Sequence, residues 1–193
     1  MVLHESRGVT EAVRLLITNL AAEGWLVVAP HIYRDGPEEV DDAVAKAKIS
    51  ELTGEALLAD ADVAFGWLAG HGVTADRIGV VGFELGGSVA LVVAARRHIG
   101  AAVTVAGRGI TEPLSAGLPA LVELAPELRC PWLGLYGDKV ADEVELLRAA
   151  AIRSETPTDV VLFPAADHRF DIHPDAAFEA SQRMFNWFDA HLR

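Results

Sequence analysis

The stretch Arg77–Arg97, RIGVVGFELGGSVALVVAARR, constrains the fold more than any other part of the sequence. Ile78–Val81 is a short apolar run with β-branched residues, which is typical of a strand buried on both faces. The segment GFELGG follows, and an apolar helical pattern then runs from Ser88 to about Arg97. A strand, a turn flanked by glycines and a helix predict an elbow that holds one residue above the edge of a sheet. That residue is Glu84.

The rest of the chain repeats the same alternation of strand and helix. Five further apolar runs are typical of buried strands: Val2–His4, Trp25–Ala29, Ala101–Val105, Pro131–Tyr136 and Asp159–Phe163. Helical patterns lie between these runs, and a last helix is predicted to begin near Pro174. We therefore predict a three-layer α/β fold, with a mostly parallel six-stranded sheet and helices on both faces. No repeat or linker marks a boundary, so residues 1–193 are predicted to form one domain.

Composition excludes several classes of partner and compartment. The chain has 193 residues, of which 51% are apolar, and a formal net charge of −12, which argues against nucleic acids and anionic membranes as partners. No apolar run approaches the roughly 18 residues of a membrane span. The N-terminal residues lack the pattern of a signal peptide, and Cys130 is the only cysteine. A cytoplasmic location is predicted.

Ionisable side chains accumulate where the predicted strands end. Ligands of open α/β sheets bind beyond the carboxyl ends of the strands, and seven such residues follow those ends: Glu5, His31, Arg34, Glu84, Arg108, Asp138 and His168. This concentration indicates a site for a small molecule. Cys130 lies at the opposite end of its strand, and Ser88 lies one helical turn beyond Glu84. Neither of these two is predicted to react.

The order of the motifs resembles the dienelactone hydrolase family of α/β-hydrolases over nearly the whole chain. The motifs are VLHESRGVT, WLVVAPHIYRDG, RIGVVGFELGGSVA, PWLGLYGD and FPAADHRFDIHPDAAFEASQRMFNWFDAHL. The resemblance implies a hydrolase of small esters or lactones with a cysteine or serine nucleophile, a histidine and an acid. It also implies a glutamate after the first strand that interacts with the nucleophile. Glu5 matches this glutamate, and His168 matches the catalytic histidine.

Three features depart from the family pattern. Glu84 stands at the position of the nucleophile, and Val140 stands at the position of the triad acid, with Asp138 and Asp142 on either side of it. Either Asp138 or Asp142 could serve as a shifted acid, and Asp138 is the first candidate. The family's first two strands have no counterpart, which leaves Trp25–Ala29 near a sheet edge and favours a homodimer.

Several roles are open for Glu84. It could act as a covalent nucleophile, or share a proton with Glu5 as a general acid–base pair in which one carboxyl stays protonated at neutral pH. The backbone N–H groups of Leu85 and of Ser6 or Arg7 are the expected oxyanion donors, and the Glu84 carboxylate could itself block them.

Two further readings concern ligands. A divalent ion held by Glu5, Glu84 and His168 is a minor alternative, and no metal site or cofactor is predicted. Tyr33, Arg34 and Arg108 are assigned to substrate binding, since arginines hold carboxylates well. The competing hypothesis is a catalytically degenerate protein that only binds a small molecule.

Overall fold

Parallel strands in chain order make up the sheet of the computed structural model, which describes residues 1–164 and 173–192. Five strands form this sheet: β1 (Val2–Leu3), β2 (Gly79–Phe83), β3 (Ala101–Val105), β4 (Trp132–Gly137) and β5 (Thr158–Phe163). The helices are α1 (Glu11–Ala22), α2 (Asp42–Glu51), α3 (Gly54–Gly70), α4 (Leu85–Arg96), α5 (Leu121–Leu124), α6 (Ala141–Ala151) and α7 (Pro174–His191). The predicted α/β architecture is confirmed.

The two faces of the sheet are covered by different helices. Successive strand residues point to opposite faces, so that Val80 packs with helices α2 to α6 while Val81 packs with α1 and α7. Trp132 and Leu133 divide between the two faces in the same way. Right-handed crossovers between strands that advance in one direction place α4 and α6 on the same face. The carboxyl ends of β1 and β2 therefore meet the N-terminus of α4 at one edge of the sheet.

The predicted sixth strand is an extended segment outside the ladder. Trp25, Val27 and Ala29 pack toward α1 and α7, and Val28 packs toward the other face, so the predicted alternation of side chains is present. The segment contacts β1 through a hydrogen bond from the Val2 N–H to the Val28 carbonyl, 2.9 Å. The two residues of β1 pair in a ladder with β2, whereas this hydrogen bond by itself does not make a ladder on the other side of β1. The prediction of six strands was therefore wrong by one for the described residues. A homodimer through this edge of the sheet stays a prediction.

The second helix begins later than its apolar pattern indicates. The apolar spacing of Val40, Ala43, Val44 and Ala47 predicts a helix over about Glu38–Ile49, whereas α2 covers Asp42–Glu51. The Asp41 carboxylate accepts a hydrogen bond from the Val44 N–H at 2.8 Å, which caps the helix and fixes its start. Within the described ranges, no helix is both long enough and apolar enough to span a bilayer.

Candidate active site

Glu84 forms the apex of a strained turn between β2 and α4. Its backbone has φ 52° and ψ −110°, in a region that residues with a side chain rarely adopt. The Glu84 N–H donates to the Val105 carbonyl at 2.9 Å, which ties the turn to β3. Strain of this kind costs on the order of 1–3 kcal/mol and is typical of functional sites. The predicted elbow is therefore present, with Glu84 at its apex.

Close packing of backbone against backbone explains the glycines around the turn. A Cβ atom on Gly82 would lie 1.9 Å from the Gly86 carbonyl oxygen, and one on Gly86 would lie 2.3 Å from the Leu3 carbonyl oxygen. These approaches bring the start of α4 against the end of β1. The elbow consequently lies beside residues 4–7, which follow β1.

The Glu84 carboxylate is held by three donors. Oε2 accepts hydrogen bonds from the Ser6 N–H, at 2.8 Å, and from the Ser6 hydroxyl. Oε1 accepts from Nη1 of Arg108 at 3.0 Å. Only 16% of the Glu84 side chain is exposed, against 46% for Arg108. The carboxylate thus occupies one of the two predicted oxyanion donors, the Ser6 N–H, as the sequence analysis anticipated.

These donors also determine the charge of Glu84. Burial by itself would raise the pKa of Glu84, but the hydroxyl and N–H of Ser6 and the positive charge of Arg108 together lower this pKa below its ordinary value. Glu84 is therefore ionised at neutral pH. The hypothesis that a Glu5–Glu84 pair leaves a proton on one carboxyl is not supported at Glu84, because its donors outweigh the effect of burial.

A cleft of about 700 Å³ opens beside this carboxylate. It is lined by side chains that follow β1, β2 and β3 and by one face of α2: Glu5, Ser6, Arg7, Asp42, Ala45, Lys46, Ile49, Ser50, Glu84, Arg108 and Leu114. The Thr10 hydroxyl, at the N-cap of α1, donates to Oε1 of Glu5 at 2.9 Å. The structure thus brings the two predicted glutamates into one cleft. His168 lies outside the described residues.

Tyr33 is a buried residue that contacts the segment carrying Ser6. Its hydroxyl donates to the Ser6 carbonyl at 2.6 Å, and the residue is 6% exposed. Burial and the nearby charge of Glu84 raise the pKa of the Tyr33 hydroxyl, so the hydroxyl keeps its proton and remains a donor. Tyr33 does not line the cleft. Its position fits a role in orienting Ser6 better than the predicted contact with substrate.

The chain is similar to proteins of one known family. Residues 1–192 match the model of the dienelactone hydrolase family. The chain belongs to this family. A "Putative carboxymethylenebutenolidase" of Yersinia pestis is 31% identical over 212 residues, which cover 99% of this chain and 77% of that protein. A protein of the same name from Escherichia coli (strain K12) is 30% identical over 204 residues, which cover 97% and 75% of the two chains.

Solved structures show the same fold. A crystal structure titled "Putative Dienelactone Hydrolase" from Klebsiella pneumoniae matches with a TM-score of 0.88 and 35% identity, covering 97% of this chain and 85% of that one. A dienelactone hydrolase from Anabaena variabilis matches with a TM-score of 0.67. At 19% identity, with 100% of this chain and 86% of that chain covered, the second match shows the fold alone.

Arg34 and the two candidate acids lie outside the residues that line the cleft. Arg34 donates to the Asp60 carboxylate at 2.9 Å and to the Ala56 carbonyl at 3.0 Å, and it does not line the cleft. Its guanidinium lies against α3 in this structure, and its predicted role in substrate binding stays a prediction. Asp138 is exposed in the turn after β4, and Asp142 is exposed in the first turn of α6.

Arg108 is the predicted substrate residue that does reach the cleft, although its partner there is Glu84. The Ser88 hydroxyl makes two hydrogen bonds to the Arg108 backbone. It donates to the Arg108 carbonyl at 2.6 Å and accepts from the Arg108 N–H at 2.9 Å. Ser88 thus has the packing role that the sequence analysis gave it. Within residues 1–164 and 173–192, no cluster of three His, Cys, Asp or Glu side chains could hold a metal ion.

The Ser6 side chain contributes a contact that was not predicted. Ser6 was considered only for its backbone N–H, whereas its hydroxyl also donates to Glu84. A buried carboxylate needs hydrogen-bond donors to stay ionised. The hydroxyl of Ser6, whose N–H was predicted as an oxyanion donor, is the sequence feature that could have indicated its contact with Glu84.

His4 fixes the segment that carries Glu5 and Ser6. Its Nε2 accepts from the Ile32 N–H at 2.9 Å, which leaves Nδ1 to donate to the Glu5 carbonyl at 2.7 Å. Burial lowers the pKa of His4 to about 4, aided by His31 and opposed by the bond to Glu5. The neutral ring thus links the end of β1 to residues 31–33.

We expect this histidine to make the fold sensitive to acid. Between about pH 6.5 and pH 4 the unfolded chain binds a proton at His4 and the folded chain does not, so stability falls as the pH falls. His4 should contribute a loss of about 2 kcal/mol between pH 7 and pH 5. Chemical denaturation of native and His4→Gln protein at both pH values measures it, since glutamine cannot titrate. The exposed His98, changed to Gln, is the control. An equal pH dependence in native and His4→Gln protein would contradict the assignment.

Proposed function

We propose that this dienelactone hydrolase family member hydrolyses small ester or lactone substrates in the cleft beside Glu84. The observation that carries the proposal is the strained backbone of Glu84, φ 52° and ψ −110°, at the mouth of a cleft of about 700 Å³. Backbone strain is typical of functional sites. Here the strained turn places one ionised side chain beside a cleft large enough for a small substrate.

The proposed roles follow from position and from the family resemblance. Glu84 is the reacting carboxylate, in place of the family's cysteine or serine, and Glu5 assists it from the same cleft. His168 is the catalytic histidine by its motif, and Asp138 is its orienting acid. Arg108 is the residue that receives an anionic part of the substrate or product, since a guanidinium binds carboxylates strongly.

The names of the relatives narrow the substrate class. The Yersinia pestis and Escherichia coli proteins are both named as carboxymethylenebutenolidases, a name that denotes a lactonase. Arg7, Lys46 and Arg108 place three positive side chains on the cleft of this chain. A lactone or ester that carries a carboxylate is therefore the first substrate to test. Action on a soluble metabolite in the cytoplasm is part of the same proposal.

A second candidate function has an observation of its own. Oε2 of Glu84 already occupies the Ser6 N–H, which in a hydrolase would stabilise the developing oxyanion. A protein with that donor blocked could bind a small molecule without turning it over. Carboxylate-bearing lactones would then bind with measurable heat and be recovered unchanged.

One experiment separates the two functions. Native protein is assayed against a panel of aryl esters, alkyl esters and lactones with and without a carboxylate, and the same compounds are titrated by calorimetry. Turnover above the rate in buffer, lost in Glu84→Ala protein, supports the hydrolase. Binding without turnover supports the second candidate, and neither binding nor turnover rejects both.

A further inference from the structure

The two oxygens of the Glu84 carboxylate have unequal surroundings. Oε2 is held by the N–H and the hydroxyl of Ser6, a residue only 7% exposed. Oε1 contacts Arg108, whose side chain is 46% exposed. An ion pair with a solvent-exposed partner is weakly held and easily exchanged. Oε1 is therefore the oxygen that a substrate can approach, and Oε2 is the oxygen that stays in place.

The same contacts decide which carbon of an ester this carboxylate can attack. Attack on the acyl carbon would create an oxyanion that needs the Ser6 N–H, which Oε2 already occupies. The adduct would also expel Glu84 rather than an alkoxide, because a carboxylate is a far weaker base, and so a better leaving group, than an alkoxide. Attack on a saturated carbon creates no such oxyanion. Its leaving group is a carboxylate, which Arg108 can receive.

Resting on the hydrolase function proposed above, we propose that Glu84 attacks the saturated carbon of an alkyl ester or lactone through Oε1 and cleaves the alkyl–oxygen bond. The new bond joins Oε1 to that carbon, and the electron pair of the broken bond leaves with the substrate carboxylate, which Arg108 receives. Water then adds to the Glu84 ester and passes its proton to Glu5. The charge on Oε2 is stabilised by the Ser6 N–H that already contacts it.

The second step restores the enzyme. The bond between Oε1 and the carboxyl carbon of Glu84 breaks, the alcohol leaves with Oε1 and a proton, and the Glu84 carboxylate is regenerated with one oxygen from water. The net reaction is ester plus water to carboxylate, alcohol and a proton. Oε2 thus serves as the oxyanion of the hydrolytic step.

The test is a single turnover of one enantiomer of β-butyrolactone by excess native protein in oxygen-18 water. We expect 3-hydroxybutyrate of inverted configuration with no label in its carboxylate, and one oxygen-18 atom in the peptide that contains Glu84. Glu5 and Asp42, which line the same cleft, are internal controls and should stay unlabelled. Glu84→Gln protein, run in parallel, corrects for spontaneous hydrolysis and should remain unlabelled.

Other outcomes overturn the inference in distinguishable ways. Retained configuration with oxygen-18 in the product carboxylate means acyl–oxygen cleavage. This outcome agrees with the proposed ester or lactone hydrolysis but rejects the attack on a saturated carbon. Inversion without label in Glu84 means direct attack by water. Turnover of other esters without turnover of β-butyrolactone also rejects the inference, whereas no turnover of any ester or lactone rejects the hydrolase function itself.

Discussion

Replacing Glu84 by alanine is expected to lower kcat for ester or lactone hydrolysis by about 10³-fold or more. The substitution removes the ionised group at the apex of the elbow, and no other described residue occupies that position. The KM should change less than kcat, since Arg7 and Lys46 remain in the cleft to bind an anionic substrate. Steady-state kinetics on the best substrate of the panel measures both constants.

Two further variants test whether the charge of Glu84 itself is required for hydrolysis. Glu84→Gln preserves the size of the side chain and one acceptor oxygen for Ser6 but removes the charge, so it should be about as inactive as Glu84→Ala. Glu55→Gln removes an exposed carboxylate in the first turn of α3 and should leave kcat unchanged. Native kcat in the alanine variant would end any catalytic role for Glu84. Circular dichroism of each variant excludes a loss of fold as the cause.

Gly82→Ala is expected to lower the free energy of unfolding by at least about 3 kcal/mol. Its Cβ would lie 1.9 Å from the Gly86 oxygen and 2.2 Å from the Gly86 carbonyl carbon. Both atoms belong to backbone at the start of α4, so no side-chain rotation can relieve the contact. The turn would have to move away from β2, and the Ser6 contacts of Glu84 would be disturbed with it. Urea denaturation measures the loss.

The matched control is Gly66→Ala in α3. A Cβ on Gly66 would have no heavy atom within 4 Å, and alanine favours a helix interior over glycine by about 0.5–1 kcal/mol. This variant should therefore be slightly stabilised. If Gly82→Ala unfolds at the same urea concentration as native protein, the close packing described for the elbow is wrong.

Much of the framework could be predicted because local patterns determine it. The apolar run before GFELGG, its glycines and the following helix each favour the elbow, and packing supports all three. Trp25–Ala29 was wrongly predicted to be a sixth strand of the sheet. Alternating side chains indicate burial on two faces, whereas a strand also requires a ladder of backbone hydrogen bonds to a neighbouring strand. Trp25–Ala29 contacts β1 but does not form such a ladder with it, and that outcome depends on another segment.

The electrostatics of the site could not be predicted in the same way. Two glutamates in one cleft suggested a shared proton, whereas the donors at Glu84 lower the pKa of that carboxyl below its ordinary value. The Ser6 hydroxyl and Arg108 reach Glu84 from segments distant in sequence, and nothing in their local pattern shows which way they point. Arg34 illustrates the converse, because Asp60 on α3 draws it away from the cleft that its sequence position suggested.

The pairing of β1 with β2 has a consequence for the order of folding. The pairs β2–β3, β3–β4 and β4–β5 each join strands that follow one another along the chain, with one crossover of modest length between them. β1 also pairs with the next strand, Val2 with Val81, but across the much longer segment that contains α1, α2 and α3. Closing a longer loop costs more chain entropy and slows folding. Because Ser6 and Glu84 are 78 residues apart, the cleft is expected to assemble only when that last loop closes, after the rest of the sheet has formed.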